Sequence, residues 1–333
     1  MGKNDPTIAV GACVYGSGFE PLIVTFLESW RKQVSSIILI CGNMRQSTYE
    51  ELQCAYPDVS FVKIDRAIHQ KSDIRISQKV FYWNAIANNP LASQADYLIL
   101  ADIDTMATSS VNGMCKADIV VTVREPTSTF FLNSGVVALS KSAVKSGFVE
   151  KWSESTSTVL NSPDLLAIST SSSHRFGGGD QYGLMSLICE DDGLGRLRSN
   201  FGSLSVSSVD CATFNACENK IDQDLVRVLH LKASLQNFLL RRRPLVGGRR
   251  LEDSMFQLKA AFDANSRGIQ RLANSFSATP EKRLRKYRLR TPPFMRRDMS
   301  VPVAVAFAYR ALTQGRIRLG QIRNALHGWR KSS

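Results

Sequence analysis

The stretch Asp96-Tyr97-Leu98-Ile99-Leu100-Ala101-Asp102-Ile103-Asp104 carries the fold reading. Tyr97 to Ala101 is an unbroken apolar run without the polar–apolar alternation of a half-exposed strand, so it reads as a strand covered on both faces. It ends in two carboxylates separated by one residue. Where a buried parallel strand ends, the chain emerges at the carboxyl edge of the sheet, and that edge is where open α/β sheets bind ligands.

The flanking sequence supplies the rest of such a sheet. Upstream, Thr7 to Val14 is a short apolar run ending at Tyr15-Gly16-Ser17-Gly18, a strand meeting a tight loop. Glu20 to Gln33 has helical spacing, with Leu22, Ile23, Phe26, Leu27 and Trp30 on one face. A strand over Ser36 to Cys41, a helix over Ser47 to Ala55, a strand over Val59 to Ile64 and a helix over Ile74 to Asn88 follow. This alternation predicts a mainly parallel central sheet flanked by helices, an α/β fold. Downstream, strands are predicted over Asp118 to Val123, Phe130 to Leu139 and Leu225 to Leu231, with helices over Lys141 to Glu154 and Asp180 to Ile188. Ser155 to Ser173, rich in Ser and Thr, reads as a loop.

Charge divides the chain. Residues 241–333 hold 22 Lys/Arg against 5 Asp/Glu, and residues 1–240 hold 20 against 24, within a net charge of +13. A body over 1–240 and a basic, mostly helical extension over 241–333 are the expected domains. The seven Cys lack Cys-x-x-Cys spacing and several sit in apolar runs, which predicts buried free thiols and a reducing compartment. The start of the sequence lacks the apolar core of a signal peptide, and no uncharged apolar run reaches the length of a membrane span. The body is expected to be cytoplasmic.

Four short motifs carry chemistry. Asp102 and Asp104 offer hard oxygen ligands suited to Mg²⁺ or Mn²⁺, cations that in turn neutralise phosphates; the bland alternative is a solvated strand end. Asn133-Ser134-Gly135 interrupts an apolar strand and reads either as a bulge or as a fork of donors and acceptors beside a close backbone approach. Asp180-Gln181, after Gly177-Gly178-Gly179, opens a helix, with Asp180 either an N-cap or a ligand-binding group. His230, at the end of a late strand, is a third metal ligand or a core histidine.

In this order, Asp-Ile-Asp, Asn-Ser-Gly, Asp-Gln and then His, the series resembles that of GT-A glycosyltransferases related to family 8, the glycogenin-like group, over roughly residues 7 to 235. The resemblance implies a GT-A (nucleotide-diphospho-sugar transferase) fold and metal-dependent, retaining transfer of a sugar from a nucleotide-diphosphate donor, UDP-sugar by preference. Residue by residue it implies Asp102, Asp104 and His230 as Mn²⁺ (or Mg²⁺) ligands. Asn133, Ser134, Gly135, Asp180 and Gln181 would line the donor-sugar pocket, with Asp180 gripping hydroxyls and Gln181 facing the anomeric carbon. The family places a basic residue on the helix before the Asp-x-Asp strand, for which Arg75 and Lys79 are candidates. It continues from its His into Gly and Lys-Pro-Trp, where this chain has Leu231-Lys232-Ala233-Ser234, leaving Lys232 to meet the diphosphate. At the exit of the first strand, Tyr15 is placed to stack on the base, with Ala12 and Cys13 offering backbone groups.

The basic clusters Arg241–Arg243, Arg249-Arg250, Lys282–Arg290 and Arg296-Arg297, and the amphipathic stretch Val303 to Trp329, suit an anionic membrane surface. Peripheral docking would bring a glycan, lipid-linked or protein acceptor to the body. A nucleic-acid partner is the less favoured reading, since no recognised module accompanies the charge. The competing functions are a nucleotidyltransferase acting on a sugar phosphate, disfavoured because Tyr15-Gly16-Ser17-Gly18-Phe19 has no basic residue, and a non-catalytic nucleic-acid-binding protein.

Overall fold

A computed structural model describes residues 5–65, 72–124, 132–170, 178–190, 196–217, 221–232, 236, 239–240, 251–275 and 281–289. The first four strands are β1 (Ile8–Tyr15), β2 (Ser36–Gly42), β3 (Val59–Ile64) and β4 (Tyr97–Ala101). They pair in parallel in the order β3-β2-β1-β4, so the expected parallel core is present. Beyond β4 the sheet turns mixed. Antiparallel β7 (Leu132–Ser140) lies beside β4, then come β6 (Ile119–Val123), β9 (Leu204–Asp210) and β8 (Asn200–Phe201), giving eight strands in all.

Each central strand is apolar throughout because both faces are covered. Val10, Ala12 and Val14 of β1 pack with Phe26, Leu27 and Trp30 of α1 (Glu20–Trp30) and Leu52 of α2 (Gln46–Ala55). Ala9 and Cys13 of the same strand join Val80, Trp83 and Ile86 of α4 (Lys79–Ala87), Trp152 of α7 (Phe148–Asn161) and Leu184 of α9 (Gly179–Ile188) on the other face. All seven cysteines are free thiols.

Several expected boundaries change. The helix expected over Ile74–Asn88 is two, α3 (Ser72–Ser77) and α4, parted at Gln78. A short α5 (Pro90–Gln94) then forms, capped by Asn89, whose side chain accepts from Leu91 N. The helix expected from Lys141 stops at Lys145 (α6) and restarts as α7 after Gly147, whose φ of 73° no other residue type adopts readily. The Ser/Thr-rich stretch expected as a loop is the second half of α7 and then α8 (Pro163–Thr170). Trp152, Thr156 and Val159 continue its buried stripe, so packing outweighs the weak helix propensity of the hydroxyl residues.

From the C-terminal third, α11 (Leu251–Ser275) and α12 (Glu281–Leu284) lie on the α1–α2 side; the intervening α10 is Cys211–Phe214. Leu272, Leu284 and Tyr287 join the core there. Glu51, buried on α2, receives Arg283 Nε at 2.6 Å, Lys286 Nζ at 2.7 Å and the Tyr287 hydroxyl at 2.6 Å. Buried Glu28 on α1 receives Arg271 Nε at 2.7 Å. The Asn265 amide donates to Tyr287 O and Pro21 O and accepts from Leu289 N. Arg283 and Lys286 of the Lys282–Arg290 cluster thus neutralise one buried acid, Glu51. Arg241–Arg243, Arg249-Arg250, Arg296-Arg297 and Val303–Trp329 lie outside the described residues. Among the described residues no helix is long and apolar enough to cross a membrane.

Candidate active site

Asp102 and Asp104 leave the end of β4, where the Asp102 amide donates to Gly135 O at 2.9 Å and Thr105 returns to Asp102 O through both its N–H and its hydroxyl. This turn starts β5 (Thr105–Ala107), which pairs antiparallel with β10 (Val228–His230), setting His230 opposite Thr105. Residues far apart in sequence therefore share one corner. His230 Nε2 lies 3.0 Å from Asp104 Oδ1 and 3.7 Å from Asp102 Oδ2.

The sheet brings a second group to the same place. Val121 pairs with Val137, but its neighbour Thr122 pairs with Asn133, so Ser134, Gly135 and Val136 are extra residues in β7, a bulge. The bulge expected as one reading of this motif is present, and it faces the carboxylates. The Ser134 hydroxyl donates to Asp180 Oδ2 at 2.7 Å. A Cβ on Gly135 would stand 2.8 Å from His230 Cε1 and 3.0 Å from Asp102 Oδ2, so only glycine leaves the corner open.

Asp180 enters from the first turn of α9. It is not the cap of that helix: Gly178 holds the N-cap position without a side-chain bond. The Asp180 carboxylate instead meets Ser134, the Ser77 hydroxyl at 3.2 Å and Lys79 Nζ at 3.2 Å, while its carbonyl accepts from Trp152 Nε1 at 2.7 Å. Lys79, from the first turn of α4, also donates to Asp102 Oδ1 at 2.8 Å and lies over the Trp83 ring. One buried ammonium thus bridges carboxylates from the end of β4 and the first turn of α9.

Electrostatics follow from this packing. Burial alone would lower the Lys79 pKa, but Asp102 and Asp180 carry it above the ordinary lysine value, so it stays charged. Burial would raise Asp180, yet Lys79 and the Ser134 hydroxyl hold it below the usual carboxylate range. Asp104 is likewise lowered: burial opposes ionisation, and His230 outweighs it. His230 is pulled below its ordinary value by burial, against the attraction of Asp104.

Asp102, Asp104 and His230 fit a divalent cation. Each offers one ligand atom, and the three atoms lie within 4.8 Å of one another. Two oxygens and an imidazole nitrogen suit Mn²⁺ or Mg²⁺. Close by, two buried donors lack a hydrogen-bond partner, Asn133 Nδ2 and Gln181 Nε2. Unsatisfied buried donors are costly and mark places where a ligand can complete the bonding.

The other expected residues are placed unevenly. Tyr15 is half-buried at the end of β1, stacked on Tyr82 with ring centroids 5.7 Å apart, its hydroxyl donating to Arg75 O. Ala12 and Cys13 are buried, with the Cys13 thiol beside Lys79 O. Of the two basic candidates before β4, Lys79 reaches the carboxylates and the Arg75 side chain is exposed. Lys232 is half-buried, close enough to act electrostatically on Asp104 and His230. Gly177 lies outside the described residues. Sequence reasoning missed Ser77, Thr122 and Asn215, single polar residues with no motif around them.

No protein-family model matches the chain. No curated protein matches it either. Among solved structures it is similar to the glycosyltransferase GlyE of Streptococcus pneumoniae TIGR4, at 12% identity and a TM-score of 0.48 over 82% of this chain. It is also similar to the apo form of that enzyme, at 13% identity and a TM-score of 0.49 over 81% of this chain. The chain spans 64% of the length of each of those structures.

Proposed function

We propose that the chain is a divalent-metal-dependent glycosyltransferase that moves a sugar from a nucleotide-diphosphate donor, a UDP-sugar by resemblance, to an acceptor hydroxyl with retention of anomeric configuration. One observation carries this reading. Asp102, Asp104 and His230 share a corner with Lys79, Ser134 and Asp180, at the sheet edge where a nucleotide would lie.

In this reading Asp102, Asp104 and His230 hold the cation, which when bound supplies charge neutralisation to the diphosphate. Lys79 adds a fixed positive charge where the leaving group becomes negative. Asp180, oriented by Ser134 and Ser77, accepts from sugar hydroxyls, and the free amide hydrogens of Asn133 and Gln181 donate to sugar oxygens. The bond from the anomeric carbon to the diphosphate oxygen breaks as the acceptor oxygen bonds to the same face, and the acceptor proton passes to the departing phosphate oxygen. Gln181 is a poor nucleophile, so no covalent glycosyl–enzyme is invoked.

Thermal-shift measurements with UDP, GDP and CTP, with and without Mn²⁺, followed by donor hydrolysis across sugar nucleotides, test the reading. Metal-dependent stabilisation by a nucleoside diphosphate and release of free sugar are expected. Undiminished transfer after Asp102→Asn and Asp104→Asn would reject it; pyrophosphate release from a nucleoside triphosphate and a sugar phosphate would identify a nucleotidyltransferase instead.

The basic segments beyond the body are proposed to hold the enzyme against an anionic membrane, near a lipid-linked or other glycan acceptor. Leu258, Ala261, Leu272, Leu284, Tyr287 and Leu289 are buried, so the informative truncation ends at Leu289. Equal pelleting of this form and the full chain with anionic liposomes would reject the membrane role.

A further inference from the structure

His230 has two ring nitrogens, and a chain of buried hydrogen bonds decides which one carries the proton. It begins at Asn133 O, a carbonyl that can only accept. Thr122 Oγ1 lies 2.9 Å away, so the hydroxyl proton points there. With its proton committed, Thr122 Oγ1 is left as an acceptor, and Asn215 Nδ2 donates to it at 3.0 Å. That fixes the amide, turning Asn215 Oδ1 toward His230 Nδ1 at 2.6 Å. An amide oxygen only accepts, so Nδ1 is the nitrogen that carries the hydrogen of the neutral ring, and Nε2, 3.0 Å from Asp104 Oδ1, holds the lone pair that a cation would take.

The reversed amide would donate to Nδ1 and draw the Thr122 proton away from Asn133 O. It would also send an Nε2 hydrogen onto Asp104, closing the corner as an ordinary hydrogen bond. Burial holds the observed orientation: Asn215 is 0% and Thr122 0% exposed, so neither exchanges partners with water. The backbone holds it as well. Asn215 caps α10, and the next residue, Ala216, bonds to Val228 O and receives His230 N, so the segment carrying Asn215 is registered to the strand that carries His230.

We propose that Asn215, fixed by Thr122, is a positioning residue that locks His230 into the tautomer with a bare Nε2 aimed between Asp102 and Asp104, ready for a cation. This rests on the metal-site reading above. Nε2 and the two carboxylates then offer a cation three ligand atoms within 4.8 Å of one another. The network also links the bulge to the metal corner, because Asn133 anchors one end of the relay and its own Oδ1 accepts from Gly135 N.

Long-range ¹⁵N–¹H correlation spectra of the full-length, metal-free protein read the tautomer directly, with His230→Gln identifying the signal among the four histidines. At a pH where the ring is neutral, the expected spectrum has His230 protonated on Nδ1 alone. In parallel, Mn²⁺ affinity is measured by calorimetry for wild type, Asn215→Leu and Asn215→Asp. The Leu variant should lose about 10- to 100-fold in affinity, as loss of a partner to a metal-ligating histidine does elsewhere. The Asp variant, which still accepts from Nδ1, should retain most of it. A neutral wild-type His230 protonated on Nε2 would overturn the proposal without touching the metal site. Failure of wild type to bind Mn²⁺ with Nδ1 protonated would overturn the purpose assigned to the relay and the metal reading together. Should the Leu variant not fold, the wild-type spectrum and the Asp variant still decide.

Discussion

Two regions of the body bury carboxylates against cations. Under the C-terminal helices, Glu51 takes a donor from each of Arg283, Lys286 and Tyr287, and Glu28 takes Arg271. At the sheet edge, Asp102 and Asp180 share the single ammonium of Lys79, Asp104 faces an imidazole nitrogen, and two amide nitrogens beside them have no partner. In the first region each acid has at least one cation of its own, although Tyr56 and Arg31 beside Glu28 keep buried atoms without hydrogen-bond partners; in the second, two acids share one cation. A buried acid matched by its own cation joins elements of structure, whereas acids that outnumber their cations leave charge for something the chain does not supply.

The contrast breaks if the two clusters respond alike to substitution. The largest effect is expected from Asp102→Asn with Asp104→Asn: donor turnover should fall by about 10³-fold or more, since metal-assisted charge stabilisation is worth several kcal/mol. The midpoint of thermal unfolding should change far less than turnover, because Lys79 keeps Asp180 as its partner when Asp102 is neutralised. A lower midpoint with retained turnover would place both acids in the structural class.

Next comes the converse, Glu51→Leu. Chemical denaturation should show a loss of about 2 kcal/mol, below the usual cost of breaking a buried pair because Arg283 and Lys286 are partly exposed and can turn to water. Turnover per folded molecule should be unchanged. A smaller effect is expected of Gly135→Ala, whose methyl would press on His230 and Asp102. Mn²⁺ affinity measured by calorimetry should drop by roughly 10-fold, the scale of a disturbed ligand shell.

The smallest effect is in the acid range. Burial opposes ionisation of both Glu51 and Asp180, but Lys286 and Tyr287 in one case and Lys79 and Ser134 in the other hold each below its ordinary value. A carboxyl lowered on folding stabilises above its unfolded pKa, about 4, and that contribution is lost as pH falls through the folded value. Stability measured from pH 6 downward should therefore decline below about pH 4. The decline should be shallower in Asp180→Asn and in Glu51→Gln, and an unaltered slope in either would remove that acid from the account.

Legibility in the sequence followed chemical type. The strands β1, β2 and β4 were readable because strands covered on both faces are apolar, β3 by its place in the alternation, and the carboxylates stood out at the end of one of them. Strand β9, Leu-Ser-Val-Ser-Ser-Val-Asp, was passed over because its serines look like loop. The second half of α7 was hidden by the same residues, although Trp152, Thr156 and Val159 kept the helical period. Asp180 was visible beside a glycine run, but nothing local indicated that it would bond Ser77 and Ser134 rather than cap its helix. Asn215 and Thr122 could not be found at all, since their importance arises from a meeting of β6, α10 and β10 that no spacing records.

The slip in β7 has a consequence for how such a protein can diversify. On one side β4 keeps its pairing as far as Val136, and on the other β6 resumes at Asn133, so the intervening residues sit in a slack span bounded by two firm seams. Gly135 is held there by its carbonyl bond to Asp102 N and by the space His230 and Asp102 need, so exchange within that span falls on Ser134. Under the proposed function, a change at Ser134 would alter how Asp180 is oriented toward a sugar without moving either seam.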